Sequence, residues 1–146
     1  MPDKLYQRGK DLYVAQESCT TRVARDITSL HGSYFLKNRN LYFVEGQDSS
    51  LVMKGVTAVH GCYALRKDKL YCLVKDNFCF VISGVTRMVG DYFLRQDKLY
   101  RLQQAGYDYI TDGVTDISGK YFLKDGNLYV LQGSSYQLVN TNVKKL

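Results

Sequence analysis

Apolar side chains fall in short alternating bursts separated by polar turn residues, and the bursts recur along the whole chain. In the clearest copy, Tyr121-Phe122-Leu123-Lys124 is followed by Asp125-Gly126 and then by Asn127-Leu128-Tyr129-Val130-Leu131. That pattern predicts a β-hairpin, because a two-residue Asp-Gly turn tolerates the positive φ that a type I′ turn demands. The other turn pairs are Gly9-Lys10, Asn38-Arg39, Lys67-Asp68 and Gln96-Asp97, of which only Gly9 and Asn38 suit a left-handed backbone, so some wider loops are expected. A polar connection, Gln132 to Ser135, leads to a third strand, Tyr136-Gln137-Leu138-Val139, with counterparts in Phe78-Cys79-Phe80-Val81-Ile82 and Tyr107-Asp108-Tyr109-Ile110. No window carries a helical period, so little or no helix is expected.

The recurrence has a fixed length. Leu-Tyr stands at Leu12-Tyr13, Leu41-Tyr42, Leu70-Tyr71, Leu99-Tyr100 and Leu128-Tyr129, every interval being 29 residues. Seven residues before the last four leucines stand Tyr34, Tyr63, Tyr92 and Tyr121. Gly55-Val56-Thr57, Gly84-Val85-Thr86 and Gly113-Val114-Thr115 recur further on, with Asp26-Ile27-Thr28 and Asn142-Val143-Lys144 at that place in the first and last copies. Gly32, Gly61, Gly90 and Gly119 then close the first four units. The expectation is one all-β repeat domain over 1–146, built of three-stranded units at about 1–32, 33–61, 62–90, 91–119 and 120–146.

Which faces are buried decides the architecture. Side chains alternate along a strand, so Leu123 and Leu128 share one face of the hairpin while Phe122, Tyr129 and Leu131 share the other. Both faces are apolar, and each small sheet must be covered on both sides. A stack of equivalent sheets does this. Two forms satisfy it, a five-bladed propeller-like ring and an open β-solenoid of stacked hairpins. The ring is favoured because neither end carries a specialised polar capping repeat, although Lys144-Lys145 could blunt one.

Composition narrows the classes. Among 146 residues there are 13 Tyr, no Trp and one Pro. The longest apolar run, Phe78 to Ile82, is five residues, too short for a transmembrane helix. The segment Met1-Pro2-Asp3-Lys4-Leu5-Tyr6-Gln7-Arg8 has no stretch like that of a signal peptide, so a cytoplasmic location and no membrane association are expected. A net charge of +6 raises association with nucleic acid, anionic membranes or acidic proteins without choosing among them. Cys19, Cys62, Cys72 and Cys79 form no CxxC pair, and His31 and His60 complete no zinc-finger spacing. Free thiols, no metal and no cofactor are expected.

The stretches Leu123-Lys124-Asp125-Gly126-Asn127-Leu128-Tyr129 and Arg95-Gln96-Asp97-Lys98-Leu99-Tyr100 resemble the bacterial DKNYY repeat family, whose motif is roughly Tyr-x-Lys-Asp-Lys-x-x-Val-Tyr-Tyr. Lys67-Asp68-Lys69, between Tyr63 and Tyr71, is among the nearest copies. The likeness covers about ten residues of each unit and departs at the second Tyr, which is Phe43, Cys72, Arg101 or Val130 here. It implies a bacterial or phage-like source and a non-catalytic role.

Candidate chemistry lies in two sets of residues. Arg8, Lys37, Arg66, Arg95 and Lys124 share one register, four residues before each Leu-Tyr. They read either as an anion-binding row or as a solvated hairpin shoulder lying over tyrosines and paired with Asp68, Asp97 or Asp125, the second being favoured. Most tyrosines read as packing, but Tyr107, Tyr109 and Tyr136 fall in the variable stretches, where rigid aromatics suit recognition. The variable loops are Glu17–Arg22, Gly46–Ser50, Lys75–Asn77, Gln104–Asp108 and Gly133–Gln137. There is no phosphate-cradling glycine loop, and Glu17 and Glu45 lack matched partners for acid–base work. The expected function is a non-catalytic scaffold that binds another protein through its variable loops, as an inhibitor, immunity-type protein or adaptor. The alternatives are a lectin-like glycan binder and a polyanion or nucleic-acid binder using the basic row.

Overall fold

A computed structural model describes residues 3–104 and 106–146; Met1 and Pro2 of the N-terminal stretch and Ala105 of the fourth variable stretch lie outside the described residues. The fold is all-β, five tandem antiparallel meanders in chain order. The first sheet holds β1 (Lys4–Arg8), β2 (Asp11–Ala15) and β3 (Thr20–Ala24). The second holds β4 (Ser29–His31), β5 (Tyr34–Lys37), β6 (Asn40–Glu45) and β7 (Asp48–Met53). The third holds β8 (Ala58–His60), β9 (Tyr63–Arg66), β10 (Lys69–Val74) and β11 (Asn77–Ile82). The fourth holds β12 (Val85–Val89), β13 (Tyr92–Arg95), β14 (Lys98–Gln103) and β15 (Gly106–Thr111). The fifth holds β16 (Val114–Ser118), β17 (Tyr121–Lys124), β18 (Asn127–Gln132) and β19 (Ser135–Asn140). The chain falls into two compact units, Met1–Phe80 and Val81–Leu146. Among the described residues no helix is long and apolar enough to cross a membrane, which leaves membrane-crossing strands untouched.

The expected hairpins form, and all five turns have two residues: Arg8 pairs with Asp11, Lys37 with Asn40, Arg66 with Lys69, Arg95 with Lys98 and Lys124 with Asn127. None is wider. Asn38-Arg39 and Asp125-Gly126 place both residues at positive φ, whereas Lys67 and Gln96 adopt it without a glycine. Register held by the buried flanks outweighs the left-handed cost, about 1 kcal/mol for such a residue.

Four of the sheets have a fourth strand that the three-stranded expectation lacked. The segment following each junction does not merely turn the chain. It stays extended and pairs with the next hairpin, Leu30 opposite Phe35, Val59 opposite Ala64, Met88 opposite Phe93 and Ile117 opposite Phe122. The Gly-Val-Thr motif now has a physical reading. Gly55, Gly84 and Gly113 have φ of 71°, 81° and 71°, and Asp26 and Asn142 hold the same left-handed place at 53° and 55°. The next amide donates back to the hairpin turn just completed: Ile27 to Lys10, Val56 to Arg39, Val114 to Asp97 and Val143 to Gly126, at 2.8 to 3.0 Å. The Thr hydroxyl then donates forward to the following hairpin, Thr57 to the Leu65 carbonyl at 3.0 Å, Thr86 to Leu94 at 3.2 Å and Thr115 to Leu123 at 3.3 Å. Within each unit, this segment therefore ties one sheet to its successor, as Val56 and Thr57 do in unit 1–80 and Val114 and Thr115 in unit 81–146.

The core repeats with the sequence. Leu12 packs with Ile27, Phe35 and Val44; Leu41 with Val56, Ala64 and Leu73; Leu99 with Val114, Phe122 and Leu131. Each set joins the Leu of one Leu-Tyr to the face of the next sheet. Both hairpin faces are covered, since Phe122 and Leu123 are buried on opposite sides of one strand. A full Leu or Phe burial contributes about 1.5–3 kcal/mol, so this interlayer contact is the main source of stability.

Candidate functional site

Variable stretches expected as loops overlap the third strands expected from Phe78, Tyr107 and Tyr136, and strand is what forms there, starting one residue earlier in each case. Outer strands begin at Thr20, Asp48, Asn77, Gly106 and Ser135, so much of the variable sequence is strand. The remaining turns are tight, as at Gly46-Gln47, Lys75-Asp76 and Gly133-Ser134. A β-bulge marks the Leu-Tyr of four sheets: Leu41 faces Met53 while Tyr42 faces Leu51, and the same shift occurs at Leu12/Tyr13, Leu99/Tyr100 and Leu128/Tyr129. The extra residue lets two outer-strand positions of like parity face opposite ways. Met53 and Thr111 turn inward and are buried, while Leu51 and Tyr109 turn out.

One register of the outer strands thereby exposes large apolar groups. Leu51, Phe80, Tyr109 and Leu138 are exposed at 45%, 58%, 54% and 55%. Leu51, Tyr109 and Leu138 stand opposite Tyr42, Tyr100 and Tyr129, and the Phe80 ring lies 5.9 Å from that of Tyr71. The first sheet has Arg22 there, opposite Tyr13. Unit 1–80 presents Leu51 and Phe80, and unit 81–146 presents Tyr109 and Leu138. Sequence reading singled out only Tyr109 of these. The signal that finds the rest is the shared register, which becomes conspicuous once exposure is known.

Tyr107 joins Tyr109 on the fourth sheet, its ring edge-on to Phe93 at 5.8 Å and to Tyr100 at 5.4 Å, and it is half-exposed. Tyr136 sits edge-on to Phe122 and Tyr129, both at 5.4 Å, and packs against the core cluster of unit 81–146. Of the three, Tyr136 is mainly structural. Tyrosine hydroxyls also tie sheets together, Tyr34 donating to the Lys75 carbonyl at 2.7 Å and Tyr92 to the Gly133 carbonyl at 2.8 Å. Burial raises the pKa of both phenols.

The members of the basic row have different neighbours. Lys124 donates to Thr111 Oγ1 at 2.8 Å and lies 3.8 Å from Asp112, not from Asp125 as expected. The Arg95 side chain lies over Gly84, where an added Cβ would meet its Nε at 3.2 Å. Asp97 accepts from the Gly113 amide at 3.2 Å, so it caps the junction. Arg8 is exposed and Lys37 half-buried. Arg66 alone turns over a tyrosine, 5.1 Å from the Tyr71 ring centroid with Nη2 donating to the hydroxyl at 3.1 Å.

One Ser–His contact has nucleophile–base reach: Ser29 Oγ lies 2.7 Å from His31 Nε2. Burial first, and then nearby His60, lower the His31 pKa and so oppose the imidazolium that general-base chemistry must form. Cys72 has a raised thiol pKa, through burial and then neighbouring Cys62, which opposes thiolate chemistry. All four cysteines are free, and among the described residues no group of three His, Cys, Asp or Glu is arranged to hold a metal. Comparison of the chain with protein families, characterised proteins and solved structures finds no match.

Proposed function

We propose that this protein is a non-catalytic β-repeat scaffold that binds another protein through its outer strands, as an inhibitor, immunity-type protein or adaptor. The observation that carries the reading is that each unit exposes large apolar side chains at one register of its outer strands, Leu51 and Phe80 in unit 1–80 and Tyr109 and Leu138 in unit 81–146. An exposed apolar group repeated in this way loses nothing by being covered, and a strand holds it at little entropic cost on binding. The turns that lead into these strands, Gly46-Gln47, Lys75-Asp76 and Gly133-Ser134, differ in size and charge. Heterogeneity of this sort favours one irregular protein surface over repeated glycan pockets. Four free cysteines fit a reducing, cytoplasmic compartment.

The test is a comparison of wild type with the quadruple variant Leu51→Ser, Phe80→Ser, Tyr109→Ser, Leu138→Ser as bait in lysate of the source, after a circular-dichroism check that the fold is intact. One stoichiometric protein that survives high salt on wild type and is lost from the variant is the expected result. Equal capture by both baits, or capture only of material removed by salt, refutes the outer-strand reading.

A further inference from the structure

At the hairpin end of the third sheet, Lys54, Arg66, Lys67 and Lys69 surround one cleft of about 350 Å³, completed by Gly55 and Tyr71. No carboxylate is among these lining residues; Asp68, between Lys67 and Lys69, is exposed outside them. The same places in the fifth sheet hold Asp112, Lys124, Asp125 and Asn127, and there Asp112 answers the Lys124 ammonium at 3.8 Å. In the third sheet the position of that aspartate is Lys54 and that of Asp125 is Lys67. The register holds two cations and no acid in the second sheet (Arg25, Lys37) and in the fourth (Arg95, Lys98), is balanced by aspartates in the fifth, and gathers four cations only in the third. Like charges so close oppose one another unless an anion joins them.

A change inside the sheet accompanies the charge. Phe35, Phe93 and Phe122 stack on Tyr42, Tyr100 and Tyr129 at 4.9, 5.0 and 5.2 Å. The residue opposite Tyr71 is Ala64, and Arg66 lies over the ring instead. Its guanidinium is thus fixed at the cleft by a ring contact and a hydrogen bond, with remaining N–H donors to spare.

We infer that this cleft binds a chain of two or more linked phosphates. A single phosphate dianion leaves much of the fourfold charge unanswered, whereas an oligophosphate answers it, with the Arg66 fork and three ammoniums as donors. The Tyr71 ring is buried at 7% exposure, with the Arg66 guanidinium over it and Phe78 and Phe80 beside it at steep angles, which leaves little ring for a stacked base. Charged oxygens are therefore what the site recognises. It is separate from the protein-binding role proposed above.

The experiment titrates the full chain with sodium tripolyphosphate by calorimetry, with thermal melts in parallel. Wild type saturates at one site and melts higher with ligand. Lys54→Asp, which installs the residue type of the fifth sheet, weakens binding at least about tenfold, one such factor being 1.4 kcal/mol. Lys69→Asn weakens it less. Lys75→Asp, the same charge change at the other end of β10, about 20 Å along the strand from Lys69, shifts affinity by under about twofold. Circular dichroism confirms that each variant is folded, which exposure of these lysines predicts. Adenosine triphosphate binding as tightly as tripolyphosphate assigns recognition to the phosphate chain; tighter binding assigns a nucleotide source. Either result upholds the site. Binding that never saturates, or equal weakening by Lys54→Asp and Lys75→Asp, overturns it.

Discussion

Leu99 and Leu128 occupy the same place in the same Leu-Tyr motif, yet their truncation should differ in cost. Leu99 is wholly buried, in a cluster with Val114, Ile117, Phe122 and Leu131 of the fifth sheet. Leu128 belongs to the fifth sheet itself, after which no further sheet follows among the described residues, and it is half-buried. Leu99→Ala removes transfer energy and leaves a cavity closed on both sides, a loss of about 3–4 kcal/mol. Leu128→Ala removes a side chain that water already reaches, a loss of about 1–2 kcal/mol by buried area. Both positions lie in unit 81–146, so one cooperative transition reports both. Urea unfolding followed by far-ultraviolet circular dichroism and tyrosine fluorescence measures the difference, which should be about 2 kcal/mol at unchanged slope. Equal losses would refute the idea that contact between successive sheets, rather than each hairpin alone, holds the fold.

Two further outcomes follow from local geometry. His31 should titrate below 6.5 by NMR, since burial and then His60 disfavour its charged form. With the folded pKa below the unfolded one, its stability contribution is complete above about pH 6.5 and declines as pH falls from there. His60→Gln should move His31 only part of the way back, burial being the larger cause; a His31 value at or above 6.5 in wild type contradicts this. Arg39 holds φ at 64° beside Asn38 at 54°. Arg39→Gly should therefore raise stability by about 0.5–1 kcal/mol in thermal melts, by relieving left-handed strain, and a fall in melting temperature would show that the Arg39 side chain holds the turn.

The strands and hairpins were legible because their signals are local and repeated. Alternation gives the strand, the turn pair gives the reversal, and the recurrence gives the number of sheets. The need to cover both hairpin faces was equally legible, and Phe122 and Leu123 meet it. The leading strands were not legible, since Ser29–His31 and Ala58–His60 have only three residues, while β12 and β16 begin inside the Gly-Val-Thr segment that reads as a turn. Nor could alternation foresee the bulge at Leu-Tyr, which breaks it. Polar turns and mixed residues made the variable stretches look like loops, although backbone pairing accepts such side chains on an exposed face. The basic row shared a register but not a fate, because the neighbours differ: junction residues Asp112 for Lys124 and Gly84 for Arg95, but the hairpin residue Tyr71 for Arg66.

The third sheet shows how one interior change can reshape a surface in a repeat. Its junction and hairpin keep the common hydrogen bonds, Val56 to Arg39 behind and Thr57 to Leu65 ahead, so its backbone register matches the others. With the backbone pinned, replacing a Phe by Ala64 cannot be absorbed by slippage, since a slip of one residue would turn every buried side chain outward. The freedom passes to side chains instead. Tyr71 is met by the edges of Phe78 and Phe80, and Arg66 takes the place above it. Arg66 is thus drawn away from the junction position that Arg95 and Lys124 occupy, and Lys54 can stand there without a carboxylate. A frame fixed by Leu, Val and backbone bonds leaves both the outer strands and the hairpin ends free to differ. New chemistry arises where one unit departs from the rule that the others keep.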